Sequence, residues 1–199
     1  MTPPLIGGMA RLSSCDWPDH LVATLFLQGC PWRCPYCHNP HLLPTRTAEA
    51  VDWDEVMDFL AGRRGLLDGV VFSGGEPTLQ PDLPEAIAAV RALGFRIGLH
   101  SAGAFPDRFA AVLPLVDWVG FDLKAPFAEY DRLTGVVGSG ERARASLTAL
   151  LAAGTARDLR ITADPAWADA ATLGRLNADL AALGAGPVRV QAYRPAPEA

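Results

Sequence analysis

Three of the four cysteines in this 199-residue chain lie within eight positions, at Cys30, Cys34 and Cys37. They sit in the run Gly29-Cys-Pro-Trp-Arg-Cys-Pro-Tyr-Cys-His-Asn-Pro40. Three thiolates at C-x3-C-x2-C spacing can hold three irons of a [4Fe–4S] cubane, a ligation that usually takes four cysteines. Finding three suggests that a small molecule fills the last iron. Other chemistries match parts of the run. Cys34-Pro-Tyr-Cys37-His38 has the form of a c-type haem attachment site, and Cys34 with Cys37 that of a thioredoxin-like pair; both leave Cys30 without a role. Three cysteines plus His38 could hold a structural zinc, although His38 adjoins Cys37 and is an awkward fourth ligand. Cys15, upstream of the first expected strand, reads as a structural thiol.

Further polar groups punctuate the chain. Ser73-Gly74-Gly75-Glu76-Pro77 follows an apolar run; the glycines allow close backbone approach to a ligand, and Glu76 can accept bonds from an amine. His100-Ser101 ends another run, where His100 could donate to a ligand oxygen or simply be satisfied within the protein. Asp122 and Lys124 stand two apart on an expected strand and so share a face, with Phe121 and Leu123 on the other. An Asp and a Lys turned inward together are costly unless a ligand, or each other, uses both charges. Arg160, Thr162 and Asp164 also alternate onto one face.

The elements that must position these groups are legible as short apolar runs alternating with amphipathic stretches. Strands are expected at 22–28, 69–73, 95–101, 117–123, 157–163 and 187–192, and helices near 52–63, 82–93, 106–113, 139–153 and 167–183. Asp52 and Glu55 form a capping-box pattern, Pro81 and Pro84 suit the first turn of the second helix, and Gly94, Gly154 and Gly184 suit helix ends. Alternation of this kind predicts an α/β fold with parallel βαβ units, as a doubly wound sheet or an incomplete barrel. In both, functional groups gather at the carboxyl ends of strands. Every polar cluster named above falls there.

Composition narrows the classes. Hydrophobic residues make up 50% and charged residues 20%, a globular balance compatible with a single domain over 1–199 and a core of about 20–192. The net charge of −5 and the scattered basic residues, with only Arg63-Arg64 and Arg142/Arg144 close together, argue against a nucleic-acid partner. No run approaches the ~18 apolar residues of a membrane span, and the N-terminus lacks a secretory pattern. A cytoplasmic location with reduced cysteines is expected.

The cysteine loop, with Tyr36 before the third cysteine, resembles the signature of the radical S-adenosylmethionine (SAM) superfamily. More narrowly, the chain resembles the activating proteins of glycyl radical enzymes, most closely that of anaerobic ribonucleoside-triphosphate reductase. The resemblance rests on Ser14-Cys-Asp16-Trp17-Pro18, Phe26-Leu-Gln28-Gly29-Cys30, the cysteine loop, Gly65 through Gln80, Asp122-Leu-Lys124-Ala-Pro126 and Tyr130-x3-Thr134-Gly135. It covers roughly 5–165; beyond that, Gln191 and Arg194-Pro195 are a weak echo. It implies an incomplete parallel (βα)6 TIM-like barrel whose Cys30, Cys34 and Cys37 hold the cluster, with SAM chelating the open iron. Tyr36 would lie near the adenine; Gly74, Gly75, Glu76 and Pro77 would contact the methionine amino group. Asp122 and Lys124 would lie beside the ribose and carboxylate. An electron from flavodoxin or ferredoxin would yield a 5′-deoxyadenosyl radical that takes a hydrogen from a partner's glycine, entering through the barrel's open side. Two departures stand out. His100 replaces an acidic residue of the family's D-T-N-G, which leaves any cation site there in doubt. Asp164-Pro165-Ala166-Trp167 also lacks the family's cofactor-touching histidine. Two other functions share part of these features: a radical SAM enzyme acting on a small heterocycle, like 7-carboxy-7-deazaguanine synthase, and a non-catalytic metal-stabilised interaction domain.

Overall fold

The computed structural model describes residues 3–164 and 167–193. Its centre is one seven-stranded sheet, β1 (Ile6–Ser13), β2 (Val22–Leu27), β3 (Gly69–Gly74), β4 (Arg96–Ser101), β5 (Trp118–Leu123), β6 (Ala156–Ala163) and β7 (Arg189–Ala192). Spatial order follows chain order; β1 is antiparallel to β2 and every later pair is parallel. The helices are α1 (Trp53–Ala61), α2 (Leu83–Ala92), α3 (Pro106–Val112), α4 (Tyr130–Thr134), α5 (Ser139–Ala153) and α6 (Ala170–Ala182).

A doubly wound sheet reverses its strand order at a switch point. No reversal occurs here, so successive right-handed crossovers place their helices on one face and the sheet curls around the other. The architecture is therefore the incomplete barrel, with six parallel strands, β2 to β7, and β1 added outside the first. β1 adjoins only β2 in the sheet and β7 only β6. Helices link each parallel strand to the next, and the described chain ends just after β7. The sheet begins at Ile6, upstream of the expected core start near residue 20, and Cys15 lies between β1 and β2 rather than ahead of the first strand.

Alternation along the strands builds two cores. Ala23, Leu25, Val70, Phe72, Val119, Phe121 and Leu123 point outward into the layer under the helices, where Val56, Leu60, Ile87, Val90, Leu147 and Leu176 meet them. Inside the barrel, Trp17, Val22, Val71 and Trp118 pack into a separate plug, with the two indoles stacked at 5.4 Å. The plug fills one end of the barrel, so the polar residues of the strands' carboxyl ends face a cavity at the other. Local signals act as read: the Asp52 carboxylate caps α1 through the Asp54 and Glu55 N–H groups, and Gly154 ends α5 in the left-handed conformation.

Candidate active site

The cysteine loop leaves β2 and is held from several sides. Gly29 N–H donates to Leu42 O (2.8 Å), Cys30 N–H to Leu43 O (3.1 Å) and Arg33 N–H to Thr134 O (2.9 Å) at the end of α4. Beneath it, the Gln28 amide donates to the His41 and Pro44 carbonyls, and the Gln80 amide ties Leu5 to Gln28. Trp32 and Tyr36 turn inward; Trp32 meets Tyr130 edge-on at 5.8 Å and Tyr36 stacks on Trp167 at 5.1 Å. His38, the candidate fourth zinc ligand, is exposed and stacks on Tyr193.

Burial pushes the Cys30 thiol up to about 12 and raises that of Cys34 as well. Thiols in this state are neutral, and a metal that takes them as thiolates releases their protons. Among the described residues no three His, Cys, Asp or Glu side chains converge on a point suited to one metal ion. Cluster ligands need not converge, since each cysteine binds a different iron.

The three cysteines line a cavity of about 660 Å³ together with Tyr36, Gly74, Gly75, Glu76, His100, Asp122 and Lys124, within the size range of small-molecule sites. All the residues expected at the site except Pro77 thus line one cavity; Pro77 is buried in a short 3-10 turn behind Glu76. Gly75 has a structural reason to be glycine, because a Cβ there would strike the Gly29 carbonyl, where the end of β3 passes under the cysteine loop. Glu76 is 1% exposed and is not held in reserve for a ligand. One oxygen accepts from Thr78 N, Thr78 Oγ1 and Ser101 Oγ, and the other from Ala102 N. The carboxylate therefore ties β3 to β4 and keeps a free lone pair only on Oε2.

Asp122 and Lys124 both face the cavity, but the ion pair of Asp122 is with Arg160 on β6, whose Nε and Nη2 lie 3.0 and 2.9 Å from Oδ1. Burial alone would raise Asp122, yet Arg160 and Lys124 hold its carboxyl below the usual range. Burial would likewise lower Lys124; the Asp122 carboxylate overcomes this and keeps the ammonium charged. Gly120 makes room for the group, since a Cβ there would lie 2.8 Å from both Arg160 and His100. Thr162 and Gln191 line the cavity too, whereas Asp164 is not on its wall; Pro165, Ala166, Arg194 and Pro195 lie outside the described residues.

His100 has both ring nitrogens engaged within the protein. Nε2 lies 2.7 Å from Asp16 O, which can only accept, so Nε2 carries the proton and Nδ1 accepts from Ser73 Oγ at 3.0 Å. Burial, reinforced by Arg160 Nη1 at 3.2 Å, lowers its pKa from 6.5 to about 4. The unfolded chain therefore binds a proton between these values that the folded chain refuses. Stability is expected to be full above pH 6.5 and to fall by about 3 kcal/mol as pH drops towards 4. Urea unfolding across this range checks it, and His100→Gln should flatten the slope.

Sequence reasoning missed the contribution of the β1–β2 connection. Cys15 and Asp16 line the same cavity, with Cys15 exposed and bonded to Ser13 Oγ at 3.4 Å, and Asp16 accepting from Thr24 Oγ1 at 2.7 Å. Trp32 also lines it; its indole nitrogen is buried with no partner among the described residues. Its place between two cysteines was the available signal. A hollow of similar volume at the other end of β6 and β7 has its Arg189 paired to Asp158 and gathers no comparable set of groups.

A family model described as the radical SAM superfamily matches residues 24–163. The chain belongs to that superfamily, whose cofactors are a [4Fe–4S] cluster held by three cysteines and SAM. A protein of Methanocaldococcus jannaschii named as a glycyl-radical enzyme activating enzyme is 34% identical over 144 residues, covering 69% of this chain and 57% of its own length. The pyruvate formate-lyase-activating enzyme of Clostridium pasteurianum is 30% identical over 142 residues, covering 69% and 58%. The matched stretch thus spans less than two thirds of either relative. Among solved structures, Streptococcus suis SuiB bound to S-adenosylmethionine superposes with a TM-score of 0.60 at 15% identity, over 87% of this chain and 38% of that one. The residues present suit the superfamily's cofactors: three thiols, two of them raised by burial, an indole donor with no partner among the described residues, and a cation and two carboxylates lining the same cavity.

Proposed function

We propose that this protein is an activating enzyme that places a radical on a glycine of a partner glycyl radical enzyme. The observation that carries the reading is the convergence of Cys30, Cys34 and Cys37 with Glu76, Asp122 and Lys124 on one cavity at the strands' carboxyl ends. The names of the two relatives support the choice of a glycyl radical enzyme as substrate.

Cys30, Cys34 and Cys37 would hold the cluster as thiolates. When bound, cluster and SAM together supply one-electron cleavage of a sulfonium to methionine and a 5′-deoxyadenosyl radical. Lys124 offers a fixed cation to the cofactor's carboxylate, and Oε2 of Glu76 keeps one acceptor site for its amine. Asp122, held in place by Arg160, can accept from ribose hydroxyls. Tyr36, stacked on Trp167, gives the adenine a flat boundary. The plug around Trp17 closes one end to water, and β1 and β7, which do not pair with each other among the described residues, leave a side by which a glycine loop can enter. Anaerobic ribonucleoside-triphosphate reductase is the partner we favour, with flavodoxin or ferredoxin as electron donor; a reducing compartment such as the cytoplasm suits four free thiols.

Anaerobic reconstitution with iron and sulfide, followed by reduction with SAM, should give 5′-deoxyadenosine. Adding the reductase should then produce a glycine-centred radical signal. No 5′-deoxyadenosine would refute the chemistry; 5′-deoxyadenosine without a glycyl signal from any glycyl radical enzyme would refute the substrate.

A further inference from the structure

We propose that the indole N–H of Trp32 donates a hydrogen bond to a sulfur of the cluster and thereby raises its reduction potential. Trp32 stands between Cys30 and Cys34 in the chain, is 1% exposed, belongs to the buried cluster against which both cysteines pack, and meets Tyr130 in an edge-on contact. Its Nε1 has no acceptor among the described residues. A buried donor left unpaired costs about 1–3 kcal/mol, and such groups are nearly always satisfied. Trp32 also lines the cavity that the same cysteines wall, and its donor is too buried to meet bulk water. Cysteine thiolates and bridging sulfides are the acceptors a cluster would bring there. A donor to sulfur stabilises the more negative, reduced cluster, and such bonds are among the determinants of its potential.

This inference rests on the cluster assignment, and its test separates the two. In the reconstituted holoenzyme, Trp32→Phe keeps a ring and removes the donor. A potentiometric titration followed by electron paramagnetic resonance should show a more negative midpoint, with the reduced-to-oxidised ratio at fixed potential falling about tenfold, or about 59 mV for one electron. A variant that loads iron normally and titrates like the wild type overturns the inference. Should Trp32→Phe fail to load, wild-type holoenzyme labelled with 15N at the tryptophan indoles gives a second readout. A 15N hyperfine coupling to the reduced cluster, persisting in Trp167→Phe, is expected. Its absence, or its appearance only after SAM is added, overturns the inference. Wild-type protein that takes up no iron would sink the cluster assignment and the inference with it.

Discussion

Alanine in place of any one of Cys30, Cys34 or Cys37 is expected to reduce bound iron from about four per chain to background and to abolish SAM cleavage. Each thiolate secures a different iron, so losing one leaves a second corner open to solvent rather than weakening a shared bond. No nearby group substitutes: His38 is exposed and engaged with Tyr193, and Glu76 is saturated by protein donors except at one site. Because a cofactor that binds only the folded state raises its stability, the variants should melt with metal-free wild type, below the loaded enzyme. Cys15→Ala is the informative control. Cys15 lines the same cavity but lies on the β1–β2 connection, and the variant should load iron normally. Iron analysis, the visible absorption of the cluster and a 5′-deoxyadenosine assay check these outcomes; iron retained by a Cys34→Ala protein would contradict the ligand set.

Asp122→Ala should cost about 3 kcal/mol, the low end for breaking a buried ion pair, because Asp122 itself is 31% exposed. The loss arises from the guanidinium left behind: Arg160 is 5% exposed, wedged against His100 and Trp118, and cannot reach solvent. Replacing both partners, Asp122→Ala with Arg160→Met, should recover most of that stability, since no buried charge is then stranded. Arg160→Met alone should also raise the pKa of His100 by removing a neighbouring cation, bringing it nearer to 6.5 and so shrinking the acid loss of stability. Urea denaturation of the four proteins checks the first point and its pH dependence the second. Equal stability of the two Asp122 proteins would show that the pair is not coupled as described.

The parallel strands were legible because each is a short apolar run ending in a polar cluster, and all five long helices fall where the periodicity put them. β1 was not: Ile-Gly-Gly-Met-Ala-Arg-Leu-Ser has two glycines, no clean alternation, and only its end residues fully buried, as an edge strand allows. The site's polar members could be picked out by type, but their partnerships could not. Nothing in the sequence says that Asp122 pairs with a residue 38 positions away rather than with Lys124. Nor does it reveal that Glu76 is consumed in joining two strand ends. Resemblance supplied the role of the cysteine loop; spacing alone left haem, redox and zinc readings standing. Trp167 and Tyr193, which stack on Tyr36 and His38, lie where the resemblance thins; Trp167 stood out only as part of a departure from the family's motif, and nothing pointed to Tyr193.

The bond from Arg33 to the Thr134 carbonyl, with the Tyr36–Trp167 stack, bears on when the protein can be assembled into a working state during synthesis. Strands that pair in sequential order allow the N-terminal half to form its contacts as it leaves the ribosome, because each partner is the next to emerge. The loop around residues 30–37, however, borrows two of its supports from residues 134 and 167. A nascent chain short of those positions has its thiols but not the frame that orients them, so iron–sulfur delivery machinery is expected to act on the released domain rather than on the growing polypeptide.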